Sequence, residues 1–371
     1  MPVIGRGVGF EESEGGGLDV SPVVVSSSDL LLISKVKVLP QSGKEILEGK
    51  GRLLKVKKPS DLGGAFLGDP LDADNKAARD VRAVFRNIEC NVWVIVKSED
   101  YEVDDYNSIR FVRAGVSQIV APGLTSDPTH AAKLKTIAKN RQAILVCDTP
   151  EDKDQAKEYV RDSLNSEWCY PVYDKIKIHK DWDWVDSSAL VAGHNQRCWD
   201  QYGYHTSPSN RVINGVIDVK NGVEFSFPDV SQNSESTELN KAYVNCIVYT
   251  DEGVRLWGNR MSDGKFNVEV TTERAVIKAI QKWSFEAIDR SLTLYFVKHI
   301  SDSLERFLSN LYDNNVICGY KVNIPGEENT PDQLVNGVFT IDYEIMWVPV
   351  AEYIKYRYKN NPEFLKNIFD N

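Results

Sequence analysis

The stretch that decides the fold begins at residues 253–260, GVRLWGNR, and ends with a strand pattern over residues 338–348. Between these ends, apolar side chains recur every three or four positions over residues 272–289 and again over residues 292–314, as the buried face of an amphipathic helix requires. These positions are Ala275, Val276, Ala279, Ile280, Trp283 and Ala287, then Ile300, Leu304, Phe307, Leu308 and Leu311. Over residues 338–348 the period changes to two, which is typical of a strand. We predict a compact α+β unit of two helices, a turn at residues 318–320 and a long strand.

Upstream of this unit, short apolar runs alternate with helical patterns. The predicted strands are residues 23–25, 30–34, 53–57, 92–96, 117–120, 143–147 and 168–173. The predicted helices are residues 75–87, 106–113, 128–139, 151–165 and 187–199, the third capped by Thr125 or Asp127. Strands separated by helices of this length imply a mostly parallel sheet in a three-layer α/β domain. Downstream of the α/β domain, the polar composition of residues 218–240 predicts an exposed loop, and a strand is predicted at residues 245–249.

Both ends of the chain have the sequence of extended arms. Residues 1–20 contain GRGVG and GGG, and such glycine runs cost too much conformational entropy for a helix or a core strand. Near the other end, Ile354, Tyr356 and Tyr358 alternate with basic residues after Pro349 has closed the last strand. We predict four parts: an N-terminal arm (1–20), an α/β domain (21–200), a C-terminal α+β core domain (201–351) and a C-terminal arm (352–371).

Composition narrows the function classes. The chain has 371 residues, enough for two cores, and a formal net charge of −10, which argues against nucleic-acid binding because phosphates require a basic surface. No signal-peptide pattern and no apolar run of about 18 residues is present, so we expect no membrane insertion. The 6 cysteines are scattered and never in C-x-x-C spacing, which predicts buried thiols rather than a metal site, with late disulfides left open.

The sequence gives little support to the hypothesis that this protein is an enzyme. The loops after the strands at 92–96 and 117–120 lack the glycines of a phosphate-binding loop, and the spacing of Gly258 and Gly264 does not fit one either. The reactive residues form three sets, and each has a structural explanation. A buried thiol explains Cys147-Asp148 with His130 and His179, and a helix end explains His194, Cys198 and His205. A solvated turn explains Asp181, Asp183 and Asp186. We expect no catalytic residue, no cofactor and no metal. An α/β enzyme with an unrecognised site and a monomeric binding module remain as alternatives.

Several short motifs occur together in a specific order: SPSN at residues 207–210, LWGNR at 256–260, FL at 307–308, CGYKV at 318–322 and VPVAEYI at 348–354. In this order and spacing the chain resembles contractile-tail sheath proteins, most clearly over residues 187–356. Met261 departs from the family pattern, which usually has a threonine after the arginine. The loop at residues 325–331 is also unusually polar.

The resemblance implies a structural subunit without turnover. Such subunits form rings of six stacked helically around an inner tail tube, and contraction drives the tube through the target cell envelope. The partners it implies are further copies of the chain, the tube protein, and the baseplate and tail terminator proteins. It also implies that the α/β domain lies outside and that the protein is assembled in the host cytoplasm and resides in the virion tail. The sheath of a non-viral injection system, bacteriocin-like or type VI-like, is the alternative.

Two sets of residues are candidate contacts. An unpaired edge strand is a liability unless something pairs with it, and sheath arms join the sheets of neighbouring subunits, so we predict strand exchange between subunits through the two termini. The residues are Val3, Ile4, Val8 and Phe10 at one end and Ile354, Tyr356 and Tyr358 at the other. On the helix at 272–289, Arg274, Lys278 and Lys282 are four apart and predict a basic stripe that contacts the tube.

Overall fold

A computed structural model describes residues 29–37, 39–40, 42–62, 75–99, 106–112, 115–181, 183–226 and 234–368. The predicted N-terminal arm and the predicted strand at residues 23–25 lie outside the described residues. In the described part no helix is long and apolar enough to cross a membrane.

The described residues form a mixed α/β structure. Its strands are β1 (Leu30–Val36), β2 (Lys44–Ile46), β3 (Gly51–Val56), β4 (Val92–Ser98), β5 (Gln118–Val120), β6 (Ile144–Asp148), β7 (Cys169–Val172), β8 (Lys175–Lys177), β9 (Val185–Asp186), β10 (Arg211–Val212), β11 (Asp218–Val219), β12 (Cys246–Thr250), β13 (Gly253–Trp257), β14 (Ile317–Asn323) and β15 (Asp342–Trp347). Its α-helices are α1 (Lys76–Phe85), α2 (Pro128–Arg141), α3 (Lys153–Tyr159), α4 (Ser188–Tyr202), α5 (Glu235–Lys241), α6 (Asn267–Ala287), α7 (Leu294–Asp313) and α8 (Pro331–Val335).

The largest sheet has the order β2-β3-β4-β1-β5-β6-β7. Strands β4, β1, β5, β6 and β7 run parallel to one another, whereas at one edge β3 pairs antiparallel with β4 and β2 pairs antiparallel with β3. The mostly parallel sheet predicted from the sequence is confirmed.

Helices cover both faces of this sheet, because successive residues of a strand point to opposite sides. On β1, Leu30 and Leu32 belong to the interior that contains α1 and α4, while Leu31 and Ile33 belong to the interior that contains α2 and α3. All four side chains are fully buried, and each such burial is worth roughly 1.5–3 kcal/mol. The three layers therefore follow from near-continuous apolar strands with two buried faces.

Individual residues determine where the helices of these layers begin and how closely they pack. Asp127 caps α2 by accepting hydrogen bonds from the backbone N–H of Thr129 and His130, which confirms one of the two predicted caps. Helices α1 and α4 cross closely at Gly193, where an added Cβ would lie 2.4 Å from the carbonyl oxygen of Val84. A glycine is required at that crossing, so Gly193, one of the small residues in the 187–199 pattern, has a packing reason.

Helix α6 lies across the amino edge of the parallel sheet. The guanidinium of Arg274 donates to the carbonyl oxygen of Glu167 (2.6 Å), just before β7. The ammonium of Lys278 donates to the carbonyl oxygen of Val116 (3.0 Å), just before β5. The end of the sheet is thus tied to the C-terminal half of the chain.

The interior is continuous across residue 200, the predicted domain boundary. Val172 forms a parallel bridge with Asn245, and the hydroxyl of Tyr170 donates to the carbonyl oxygen of Gly258 (2.9 Å). One buried apolar cluster extends from Leu30 in β1 to Leu311 in α7. The two predicted domains therefore share packing, and their division of labour stays a prediction.

Four local expectations need correction. Residues 318–320 are not a turn but part of β14, because the chain reverses earlier, at Asn315 (φ 56°). The last strand is shorter than residues 338–348, since the Asn329 amide binds both backbone groups of Thr340 and so removes it from the strand ladder. The predicted loop at 218–240 contains β11 and α5. The predicted helix at 106–113 is a 3₁₀ turn over Asn107–Phe111.

Candidate assembly interface

The β14–β15 hairpin is the first part of a candidate assembly interface. Its strands pair antiparallel with each other, and neither has another sheet partner in the described part of the chain. One face is anchored, because Tyr320, Val322, Tyr343 and Ile345 pack against the main apolar cluster. The outer edges of both strands present backbone N–H and C=O groups in the geometry that accepts a further strand.

The C-terminal segment is the second part. Residues 353–360 follow β15 and are assigned to no strand within the described structure. Ile354, Tyr356 and Tyr358 are 60, 87 and 89% exposed, so the aromatic alternation seen in the sequence faces solvent in the single chain. Large apolar side chains exposed together mark a surface that a partner covers.

An ion pair fixes the point from which this segment departs. Arg260 donates from Nε to the Glu352 carboxylate (3.0 Å), and its Nη2 contacts the other carboxylate oxygen. The same guanidinium donates to the carbonyl oxygen of Gly264 (2.7 Å) and lies 3.6 Å from the ring centroid of Phe266. Two of the motifs singled out in the sequence, LWGNR and VPVAEYI, therefore bind each other.

The structure describes one of the two predicted sets of strand-exchange residues. Val3, Ile4, Val8 and Phe10 lie outside the described residues. Ile354, Tyr356 and Tyr358 lie next to the hairpin in sequence and are exposed. Exchange between subunits stays a prediction, since a single chain contains no neighbour.

The basic stripe of α6 does not exist as an exposed feature. Arg274 is 7% exposed, stacks on Trp168 (3.6 Å) and has its pKa lowered to about 9 by burial. Burial also lowers the pKa of Lys278 to about 8. Of the three side chains, only that of Lys282 is exposed, and Lys278 is half-buried. Sequence spacing placed the three on one helix face, but that face packs against the amino edge of the sheet. Contact with a tube stays a prediction, without the stripe as its reason.

A polar cluster that is not apparent in the sequence lies at the carboxyl edge of the sheet. Asp148, at the end of β6, accepts hydrogen bonds from the backbone N–H (2.9 Å) and hydroxyl (2.7 Å) of Ser188 at the start of α4. The N–H of Gly123 (3.2 Å) and the hydroxyl of Thr125 (3.3 Å) also donate to it. Burial, with the nearby carboxylate of Asp186, raises the pKa of Asp148 to about 7. These partners come from two segments distant from Asp148 in sequence, residues 123–125 and 186–188, so no local motif could reveal the cluster.

The neighbouring carboxyl group of Asp80 is held in the same way. It is 2% exposed, accepts from the hydroxyl of Ser34 (3.0 Å) and pairs with Lys76 (2.8 Å). Burial raises its pKa, and the charge of Lys76 opposes that shift. The chemistry of the cluster is structural: it ties the carboxyl ends of the strands to α1 and α4.

The histidine and cysteine sets considered in the sequence have structural partners. His194 is buried, hydrogen-bonds through Nε2 with the carbonyl oxygen of Pro208 (2.9 Å), and has its pKa lowered to about 4 by burial. Burial raises the pKa of the Cys147 thiol, next to Cys169, well above its ordinary value, which disfavours the thiolate a nucleophile needs. Among the described residues, no group of three or more His, Cys, Asp or Glu side chains is placed to hold a metal ion.

Comparison with known proteins identifies chains with a similar sequence and a similar fold. No family model matches the chain. It is 29% identical over 266 residues to a putative prophage major tail sheath protein of Pseudomonas aeruginosa (strain UCBPP-PA14), covering 68% of this chain and 67% of that protein. The resemblance to tail sheath proteins inferred from the sequence is confirmed.

Solved structures share the fold over nearly the whole chain. The anti-feeding prophage helical sheath in its contracted state has a TM-score of 0.75 at 18% identity, covering 95% of this chain and 99% of that one. The sheath complex of the extracellular contractile injection system PVC, also contracted, has a TM-score of 0.71 at 20% identity, covering 96 and 98%.

Proposed function

We propose that this chain, a relative of a prophage tail sheath protein with the fold of injection-system sheaths, is the structural subunit of a contractile tail sheath. Its copies polymerise as rings of six, stacked helically around an inner tail tube. Contraction of that polymer drives the tube through the target cell envelope. The role is mechanical rather than catalytic.

The single observation that carries the proposal is the open hairpin followed by an exposed strand pattern. Strands β14 and β15 are held against the core on one face, yet their edges are open. Immediately beyond them, Ile354, Tyr356 and Tyr358 are exposed in the alternation of a strand. Pairing of this segment with a neighbour's hairpin satisfies the edge hydrogen bonds and gives the alternate side chains a surface to pack on.

The two termini then link each subunit to two neighbours. The C-terminal strand pattern pairs with one hairpin, and Val3, Ile4, Val8 and Phe10 of the N-terminal arm pair with another. We propose that backbone pairing of this kind survives a large rotation of subunits, since the glycine run at residues 15–17 gives the N-terminal arm a candidate hinge. The chain can therefore change its packing while the lattice stays connected.

The energy for contraction is stored at assembly. A bistable set of subunit contacts does work when it passes to the lower of two states, without nucleotide turnover. In the layout we propose, residues 201–351 carry the lattice around the tube, and residues 21–200 lie outside. Deleting the outer part is no test of this layout, because the two parts share one apolar interior.

The partners in this proposal are further copies of the chain, the tube protein, and the baseplate and terminator proteins at the two ends. Assembly takes place in the host cytoplasm, and the product resides in a virion tail. The injection-system folds equally support a non-viral machine of bacteriocin-like or type VI-like kind.

Negative-stain electron microscopy of the purified chain, alone and co-expressed with the tube protein that we expect to be encoded beside it, tests the proposal. We expect hollow helical tubes with six subunits in each ring, and filled tubes with the partner. Discrete monomeric particles under both conditions would favour a binding module or an enzyme instead.

A further inference from the structure

Acidic and basic residues are segregated near the end of the chain. Residues 322–354 contain no lysine or arginine, and their acidic residues are Glu327, Glu328, Asp332, Asp342, Glu344 and Glu352. The next residues, KYRYK at 355–359, contain three basic residues and no acidic one. Strand β15 with the loop before it is therefore opposite in charge to the C-terminal segment.

Strand β15 divides its side chains between two faces. Tyr343 and Ile345 pack against the main apolar cluster, whereas Asp342 and Glu344 are exposed on the opposite face. A strand that pairs with the edge of β15 continues both rows, since side chains opposite each other in a ladder share a face. The C-terminal segment has the matching alternation, with Ile354, Tyr356 and Tyr358 on one face and Lys355, Arg357 and Lys359 on the other.

The edge of β14 fits a basic strand less well. Its exposed face carries Lys321, and its pairing with β15 is irregular between Ile317 and Gly319. An irregularity of this kind interrupts the row of backbone groups that an added strand needs. The Nζ atom of Lys321 lies 3.6 Å from Oε1 of Glu344, so a cation on an adjacent strand can reach the carboxylates of β15.

A second exposed surface lies where β15 begins. The loop between β14 and β15 is held by the Asn329 amide, which binds both backbone groups of Thr340. On this loop the side chains of Leu334, Val335 and Val338 are 37, 87 and 47% exposed. These three side chains form the loop patch, an apolar surface of the kind that a partner covers.

The chain supplies apolar side chains that match the loop patch. Phe364 and Leu365, in the 3₁₀ turn Pro362–Ile368, are 69 and 60% exposed. In an antiparallel ladder with Arg357 opposite Glu344, position 363 is opposite Val338, which brings these two side chains to the loop patch. A parallel ladder would carry them beyond the other end of β15.

The C-terminal segment of the same chain does not take this position. It pairs with no strand in the described structure. Residues 348–353, which connect it to β15, line a cavity together with the turn at residues 257–260, and Glu352 is bound there to Arg260. The edge of β15 thus stays open to a segment from another copy.

We propose that residues 354–365 of a neighbouring copy run antiparallel along the edge of β15 and end on the loop patch. The basic row lies beside Asp342 and Glu344, the aromatic row continues that of Tyr343 and Ile345, and the last two apolar side chains cover the loop patch. This inference rests on the proposed function, because the polymer supplies the neighbour. It adds the edge, the direction and a second contact, and it leaves the edge of β14 to the N-terminal arm.

Charge reversal on both sides of the contact tests the choice of edge. One variant carries D342K and E344K, and the other carries K355E, R357E and K359E. We expect each variant alone to raise the critical concentration for tubes by about tenfold or more at about 50 mM salt, because like charges then face each other. An equimolar mixture should form tubes near the wild-type concentration, because each reversed edge receives the segment of the other variant.

Two controls accompany this measurement, which uses sedimentation. The matched variant is Asp302→Lys with Glu305→Lys, which reverses two exposed carboxylates on α7, and we expect it to assemble as the wild type does. Thermal unfolding of every variant checks the fold, since all the reversed positions are exposed.

Disulfide formation in assembled tubes tests the direction. The background is Cys318→Ser, because the other cysteines are buried. Val338→Cys with Leu365→Cys should give covalently linked chains on a non-reducing gel after a copper oxidant is added. Val338→Cys with Ile354→Cys is the control pair and should stay unlinked. Links through the control pair alone would show a parallel strand and overturn the inference.

The outcomes separate this inference from the proposed function. Tubes at the wild-type concentration from both charge-reversed variants would overturn the inference and leave the sheath subunit standing. Folded variants whose mixture fails to form tubes would also overturn it, since the two rows would then not recognise each other. Absence of tubes from the wild-type chain, with and without the tube protein, would reject the sheath subunit and this inference with it.

Discussion

At the scale of single residues, the contact between Arg260 and Glu352 is the most informative. It joins two motifs 92 residues apart and fixes the direction in which the C-terminal segment leaves the core. Both side chains are partly exposed, and an exposed ion pair contributes only ~0.2–1 kcal/mol to stability. Its value is therefore in positioning rather than in stability.

Glu352→Ala should separate these two roles. We expect the free energy of unfolding to fall by less than about 1 kcal/mol. The yield of polymer should fall severalfold, because the direction of the C-terminal segment is no longer fixed. Thermal unfolding and sedimentation measure the two effects. Glu363→Ala, in the same segment and also exposed, is the matched control. Equal polymer yields from both variants would show that the pair has no positioning role.

Asp148 gives a prediction about pH. Because burial raises its pKa to about 7, the folded state favours the protonated carboxyl. The residue's contribution to stability is full below the unfolded pKa of roughly 3.9 and is lost as pH rises through 7. Asp148→Asn cannot ionise and loses acceptor hydrogen bonds, which costs about 1–3 kcal/mol. We expect the stability gap between wild type and variant to be widest near pH 4 and to narrow by pH 7.5. A gap that widens with pH in denaturant titrations would show that the four donors outweigh burial.

Arg274 and Lys282 distinguish a structural from a surface role on α6. Arg274→Ala leaves the Glu167 carbonyl oxygen without its donor and removes the stacking on Trp168, so we expect a loss of about 1–3 kcal/mol in denaturant unfolding. Lys282→Ala should change stability by less than about 0.5 kcal/mol. Comparable losses for both would contradict the packing of α6 on the sheet. For tube contact, Lys282→Glu is the informative variant, since reversing Arg274 would disturb the fold.

At the scale of elements, the helices were predictable and their partners were not. The period of α7 gives its buried face directly, and Leu304, Phe307, Leu308 and Leu311 are all buried as the pattern requires. Helix α6 was predicted equally well, but the periodicity says nothing about which carbonyl groups its basic side chains reach. Those groups lie more than 100 residues away, at positions set only by the sheet topology.

The C-terminal segment is an element that should matter only in the polymer. Ending the chain after Tyr353 removes Ile354, Tyr356 and Tyr358, which are largely exposed, while the Arg260–Glu352 pair remains. We therefore expect an unchanged melting temperature and a monomer that cannot form tubes. Replacing Lys355, Arg357 and Lys359 by alanine keeps the apolar alternation and should retain tubes. Normal tubes from the truncated chain would exclude exchange through this segment.

At the scale of the whole molecule, the fold class was accessible from the sequence because parallel strands buried on both faces are continuous apolar runs. The junction of the two predicted domains could not be predicted from the sequence, because the contacts of Tyr170 and Val172 with residues 245–258 depend on long-range packing. The polar cluster around Asp148 was missed for the same reason. Of the candidate interface, sequence alternation revealed the C-terminal segment, whereas the open hairpin beside it required the structure.

The central claim is that the open hairpin is completed by strands from neighbouring copies. Cryo-electron microscopy of the assembled protein tests it most directly. We predict that β14 and β15 become the middle of a four-stranded sheet, whose outer strands are residues near 3–10 of one neighbour and near 354–358 of another. A polymer in which the hairpin remains two-stranded, with subunits held by side-chain contacts alone, would contradict the account.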